Sequence, residues 1–83
     1  MADFVIIGKE DCPWCDKARL LVEEEGFTAS YFDISVADSL RVFLKALDLQ
    51  TVPQIFVQGG AYVGGYEDLK TAFEQTKEIV DGE

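Results

Sequence analysis

"KEDCPWCDKARLL", residues 9–21, sets two cysteines three positions apart with a proline and a tryptophan between them, and then changes to helical spacing. The pair could staple the fold, hold a metal or move electrons. As a staple it is poor: a bridge closing ~4 residues is worth roughly 2 kcal/mol in the chain-entropy model, against ~3 for a 15-residue loop. As a zinc site it is half-built, because structural zinc takes four protein ligands and the chain has no histidine and no cysteine beyond these two. Redox exchange remains. Residues i and i+3 at a helix start share a face at a spacing a disulfide can bridge, so dithiol and disulfide can interconvert with little backbone movement.

Within the pair, Cys12 is expected in the first helical turn, beside unsatisfied backbone N–H groups and the positive end of the helix dipole. It is therefore the expected attacking thiolate, and the deeper Cys15 the resolving thiol. Pro13 suits a first-turn position, where its missing N–H had no partner to lose. The helix alone is not enough. Lowering a thiol from its usual ~8.5 by ~3 pH units takes about 4 kcal/mol, and a helix terminus supplies up to ~2. Lys9 is opposed by Glu10, Asp11 and Asp16, so direct hydrogen bonds to the sulfur, from backbone amides and the Cys15 thiol, must carry much of the effect. Asp11 is placed as the helix N-cap.

Outward from this stretch, "DFVIIG" (3–8) is a short apolar run of the kind covered on both faces, hence a central strand. Residues 13–25 put Ala18, Leu21 and Val22 on one helical face, with Gly26 as the stop. "TASYFDI" (28–34) is a second strand. Ser35 and Asp38 form a capping box before a helix whose face carries Val36, Leu40, Phe43, Leu44 and Leu47. "PQIFV" (53–57) and "AYVG" (61–64) make a hairpin through Gln58, Gly59 and Gly60. Leu69, Ala72, Phe73, Thr76 and Val80 recur at helical intervals after Gly64 and Gly65. The order βαβαββα predicts an α/β domain spanning 1–83, its mixed four-stranded sheet flanked by three helices, with a right-handed parallel βαβ start and an antiparallel end.

A net charge of −9 repels phosphate backbones and anionic lipid surfaces, which argues against nucleic-acid and membrane partners. "FVII" is too short for a membrane span, and no basic leader with a cleavage site precedes it, so a cytoplasmic location is expected. From the residues alone, Lys9 reads as a solvated lysine, Trp14 as an exposed ring, Pro53 as a strand start and the Gly64–Gly65 pair as a turn.

Taken together, "GKEDCPWC", "TVPQIFV" and "GGYEDL" resemble, in order and spacing, the dithiol glutaredoxins, over nearly the whole chain. The resemblance implies a thioredoxin-like fold and a glutathione-disulfide oxidoreductase. Its substrates would be protein disulfides and glutathione mixed disulfides, turned over by Cys12 and Cys15. By the same resemblance Lys9 meets a glutathione carboxylate, and Trp14 supplies an aromatic wall. Thr51 and Val52, with Pro53 in the cis form, offer strand-like backbone pairing to the glutathione cysteine. Gly65 allows close approach, Tyr66 and Glu67 hold the γ-glutamyl carboxylate through their amides, and Asp68 faces its ammonium. Three residues depart from the family pattern: Trp14 for tyrosine, Glu67 for a shorter residue, and neutral Gln50 where some relatives carry arginine.

The implied partners are glutathione and disulfide-bearing or glutathionylated proteins, ribonucleotide reductase among them, with the protein a monomer and no resident metal. Two other readings stay open. One is a redoxin recharged by thioredoxin reductase; the other is a carrier in which two chains and two glutathiones hold a 2Fe–2S cluster through Cys12.

Overall fold

The computed structural model describes residues 2–49 and 51–81, with side chains described through Gln75. Gln50 and the Thr76 and Val80 side chains lie outside the described residues, so the expectations resting on them have no structural counterpart here. The elements follow the expected order: β1 (Phe4–Gly8), α1 (Pro13–Glu24), β2 (Ala29–Asp33), α2 (Asp38–Ala46), β3 (Gln54–Val57), β4 (Tyr62–Gly64) and α3 (Tyr66–Asp81).

The sheet runs β2-β1-β3-β4, with β1 parallel to β2 and antiparallel to β3, and β3 antiparallel to β4. β1 is therefore central, and its consecutive buried residues Ile6 and Ile7 face opposite sides. Ile6 pairs with Tyr31 on one side and with Ile55 on the other. Against this strand pair, α1 contributes Ala18 and Val22, and α3 contributes Leu69; with Ile6 and Ile55 these form the fully buried core.

Both ends of α1 are chemically specified. Pro13 stands just inside its start. At the other end Gly26 takes φ +87°, and the N–H groups of Gly26 and Phe27 donate to the carbonyls of Glu23 and Val22, the double bond pattern of a left-handed helix stop. The chain then leads Phe27 into an aromatic cluster with Phe4 and Phe73, whose ring centroids lie 5.6–5.7 Å apart. That cluster ties α3 to the edge of the α1 layer.

The second helix starts differently from expectation. Ala37 is its N-cap and makes no side-chain cap bond. Ser35 instead turns back: its N–H donates to Asp33 Oδ1 at 2.7 Å, and its hydroxyl donates to the same oxygen. A serine two residues after an aspartate finds that local partner before it can serve a helix. Val36 consequently precedes α2 and is 81% exposed, and Leu47 is the C-cap; of the predicted apolar face only Leu44 is buried.

Candidate active site

The cysteines sit where β1 hands the chain to α1. Asp11 is not the cap: it has φ +55°, which turns the backbone so that Cys12, extended at φ −116° and ψ 98°, becomes the N-cap itself. Its sulfur takes the place of a capping hydroxyl and accepts the Cys15 N–H at 3.1 Å, while its carbonyl accepts the N–H groups of Cys15 and Asp16. A backbone donor thus points at the sulfur, the kind of contact that stabilises a thiolate. Cys12 and Cys15 are joined as a disulfide, with Cα atoms 5.2 Å apart. Cys12 is 7% exposed and Cys15 has no exposed surface, so an incoming thiol meets Cys12 first.

Beside this pair lies an open cleft of about 280 Å³ walled by Trp14, residues 51–53 and residues 65–68. Eight of the nine residues expected around a bound tripeptide share it. The ninth, Lys9, is exposed and does not line the cleft; its carbonyl accepts the Tyr31 hydroxyl at 3.1 Å. Trp14 and Tyr66 face each other across the mouth with ring centroids 5.5 Å apart, and Lys17 Nζ stands 4.4 Å from the Trp14 ring.

The Val52–Pro53 peptide is cis, and Pro53 is buried ahead of β3 rather than within it. What holds this turn is a residue the sequence reading passed over. Gln54 is buried; its amide NH₂ donates to the Thr51 carbonyl at 2.8 Å and to the Thr51 hydroxyl at 3.2 Å, and its Oε1 accepts the Tyr62 hydroxyl at 2.5 Å. The available signal was a lone amide among apolar residues in "PQIFV", since a buried polar group demands partners.

The opposite wall is the start of α3. Gly64 has φ +125°, and a Cβ there would overlap the Asp68 carboxylate, so glycine is required. Asp68 Oδ2 accepts the Gly65 N–H at 3.0 Å, and the first intrahelical bond runs from the Leu69 N–H to the Gly65 carbonyl. The amides of residues 66–68 precede that bond and have no partner within the helix, as an anion site requires.

A second cleft of about 510 Å³ shares Thr51 and Val52 with the first and carries two cations of α2, Arg41 and Lys45. Neither cation is among the residues expected at the site. Among the described residues no group of three or more His, Cys, Asp and Glu side chains could hold a metal ion.

Comparison with known proteins agrees with this geometry. The glutaredoxin family model matches residues 4–63. Glutaredoxin 3 of Escherichia coli is 34% identical over 70 residues, covering 83% of each chain. The hybrid peroxiredoxin hyPrx5 of Haemophilus influenzae is 37% identical over 70 residues, but they span 82% of this chain and only 28% of that protein. The crystal structure of a buckwheat glutaredoxin–glutathione complex superposes with a TM-score of 0.78 at 21% identity, over 94% of this chain and 74% of that one. A thioredoxin-like sheet, a dithiol at the start of α1 and sequence relatedness over most of the chain converge: this protein belongs to the glutaredoxin family.

Proposed function

We propose that this member of the family, a thiol–disulfide oxidoreductase by its dithiol, runs on glutathione and reduces protein disulfides and glutathione mixed disulfides. The observation that carries the reading is the cleft beside Cys12, which offers peptide-like backbone on one wall and unpaired helix-start amides on the other. In the reduced enzyme the Cys12 thiolate attacks one sulfur of a substrate disulfide, forming a mixed disulfide and expelling the other sulfur as thiolate. The Cys15 thiolate then attacks Cys12 Sγ, releasing the second substrate thiol and closing the Cys12–Cys15 bond. One glutathione thiolate opens that bond at Cys12, and a second attacks the resulting mixed disulfide, leaving oxidised glutathione and the dithiol.

Each end of the tripeptide has a chemical match. Thr51 and Val52 pair with its backbone, the free amides of Tyr66 and Glu67 take the γ-glutamyl carboxylate, and the Asp68 oxygen not bonded to Gly65 faces the ammonium. Lys9 lies outside the cleft, so Arg41 and Lys45 in the adjoining one are the better-placed cations for the glycine carboxylate. A cytoplasmic location fits a dithiol that must stay reduced. A monomer suffices for this chemistry.

The test is glutathione-coupled turnover of a small mixed disulfide. Cys12→Ser should abolish it, whereas Cys15→Ser should retain it and lose reduction of protein disulfides. Loss of both activities in Cys15→Ser would overturn the assigned roles. Lys9, which does not line the cleft, favours a second reading, recharging by thioredoxin reductase. Faster reduction by that enzyme than by glutathione with glutathione reductase would decide for it.

A further inference from the structure

The exchange proposed above requires Cys15 to ionise, and its surroundings oppose that. It has no exposed surface, which raises the cost of a thiolate, and Asp16 adjoins it in sequence. The two cations of α1 are engaged elsewhere: Lys17 lies over the Trp14 ring, while Arg19 reaches Asp16 at 3.9 Å and stands 5.2 Å from the Tyr31 ring. The Cys15 N–H goes to Cys12. One further polar atom stands close. A Cβ at Gly8 would overlap the Tyr31 hydroxyl and lie 3.0 Å from Cys15 Sγ, so phenol and sulfur crowd the space of a single missing methyl group.

We infer that Tyr31 is a positioning residue for the resolving step, its hydroxyl turning from the Lys9 carbonyl to Cys15 Sγ as that sulfur becomes a thiolate. Gly8 is glycine because a side chain there would separate the two. The inference rests on the dithiol exchange mechanism. In the step itself the Cys15 thiol gives its proton to solvent, its sulfur attacks Cys12 Sγ and the substrate thiolate departs; the phenol keeps its own proton and serves as donor. Its environment suits that role: burial, then the Asp16 and Asp33 carboxylates, push Tyr31 above the ordinary phenol value, although Arg19 and the bond to the Lys9 carbonyl act the other way. A thiolate is a charged acceptor and draws the hydroxyl more strongly than a neutral carbonyl does.

The experiment loads reduced protein with glutathione disulfide and follows closure of the Cys12–Cys15 bond by Trp14 fluorescence across pH, for wild type and Tyr31→Phe. The variant keeps the ring and its contact with Arg19. Expected is closure about tenfold slower at neutral pH, with the midpoint moved up about one pH unit and the same plateau at high pH, the effect of losing one hydrogen bond to a charged acceptor. An unmoved midpoint, or equal slowing at every pH, would overturn the inference and leave the exchange mechanism standing. A wild type that forms the mixed disulfide but never closes it would overturn the mechanism first. Equilibrium ultraviolet titration of Cys15 in Cys12→Ser, with and without Tyr31→Phe, gives an independent reading: the midpoint must rise when the hydroxyl is removed.

Discussion

The two walls of the cleft beside Cys12 are held in unlike ways. The wall formed by α1 and the start of α3 rests on the core: Ala18, Val22 and Leu69 are fully buried, and the ring cluster of Phe4, Phe27 and Phe73 braces α3 from the side. The wall formed by residues 51–53 follows α2, a helix that buries Leu44 and leaves Val42, Phe43 and Leu47 exposed. Its shape depends on a strap of hydrogen bonds through Gln54. One wall is placed by apolar packing and the other by directional bonds, so the two should fail differently.

The largest contrast is between a core residue and a residue of the exposed helix. Leu69→Ala should destabilise the protein by about 2–5 kcal/mol, whereas Val42→Ser should stay within about 0.5 kcal/mol. Thermal unfolding of both variants measures the gap, and comparable losses would mean that α2 shares the core's burden.

An intermediate effect is expected at the strap. Gln54→Leu keeps an apolar filling but removes the donor to the Thr51 carbonyl and the acceptor of the half-exposed Tyr62 hydroxyl, a cost of about 1 kcal/mol for each bond lost. Because the disturbed backbone lines the cleft, KM for glutathione should rise while the reactivity of reduced Cys12 toward iodoacetamide changes little. A loss of stability with unaltered KM would show that the strap serves the fold alone.

The smallest effect belongs to the turn before α2. The Ser35 hydroxyl and N–H bonds hold the Asp33 carboxyl below its ordinary value. A depressed carboxylate contributes stability that is present above the unfolded-state pKa, near ~3.9, and is lost as pH falls through the folded-state value. Ser35→Ala should therefore move the Asp33 titration midpoint upward in carboxyl NMR and weaken the acid limb of the stability curve. This exposed turn should leave activity at neutral pH unchanged.

Which parts of this arrangement could be read beforehand follows the range of the interactions. The C-P-W-C stretch, the apolar strand "FVII" and the Gly26 stop are local signals, and each led to the element observed. The capping box at Ser35 was also a local reading, yet it failed, because a nearer partner two residues back took the hydroxyl. Asp11 lost the N-cap to Cys12 through a left-handed turn that an aspartate at that position does not announce.

What the amino-acid order determined by itself is local: two thiols at a spacing that allows them to bond, a proline at the start of their helix and a glycine at its stop, and the order of the helices and strands. The tertiary structure alone decided the surroundings of those thiols. It set Arg41 and Lys45 in a cleft that shares Thr51 and Val52 with the one beside Cys12, bonded Gln54 to Thr51 and Tyr62, and brought the Tyr31 hydroxyl and Cys15 Sγ to the borders of the space beside Gly8. The Tyr31 hydroxyl reaches a carbonyl 22 positions away in the chain, and no periodicity or motif records which distant side chain will fill the space that a glycine leaves.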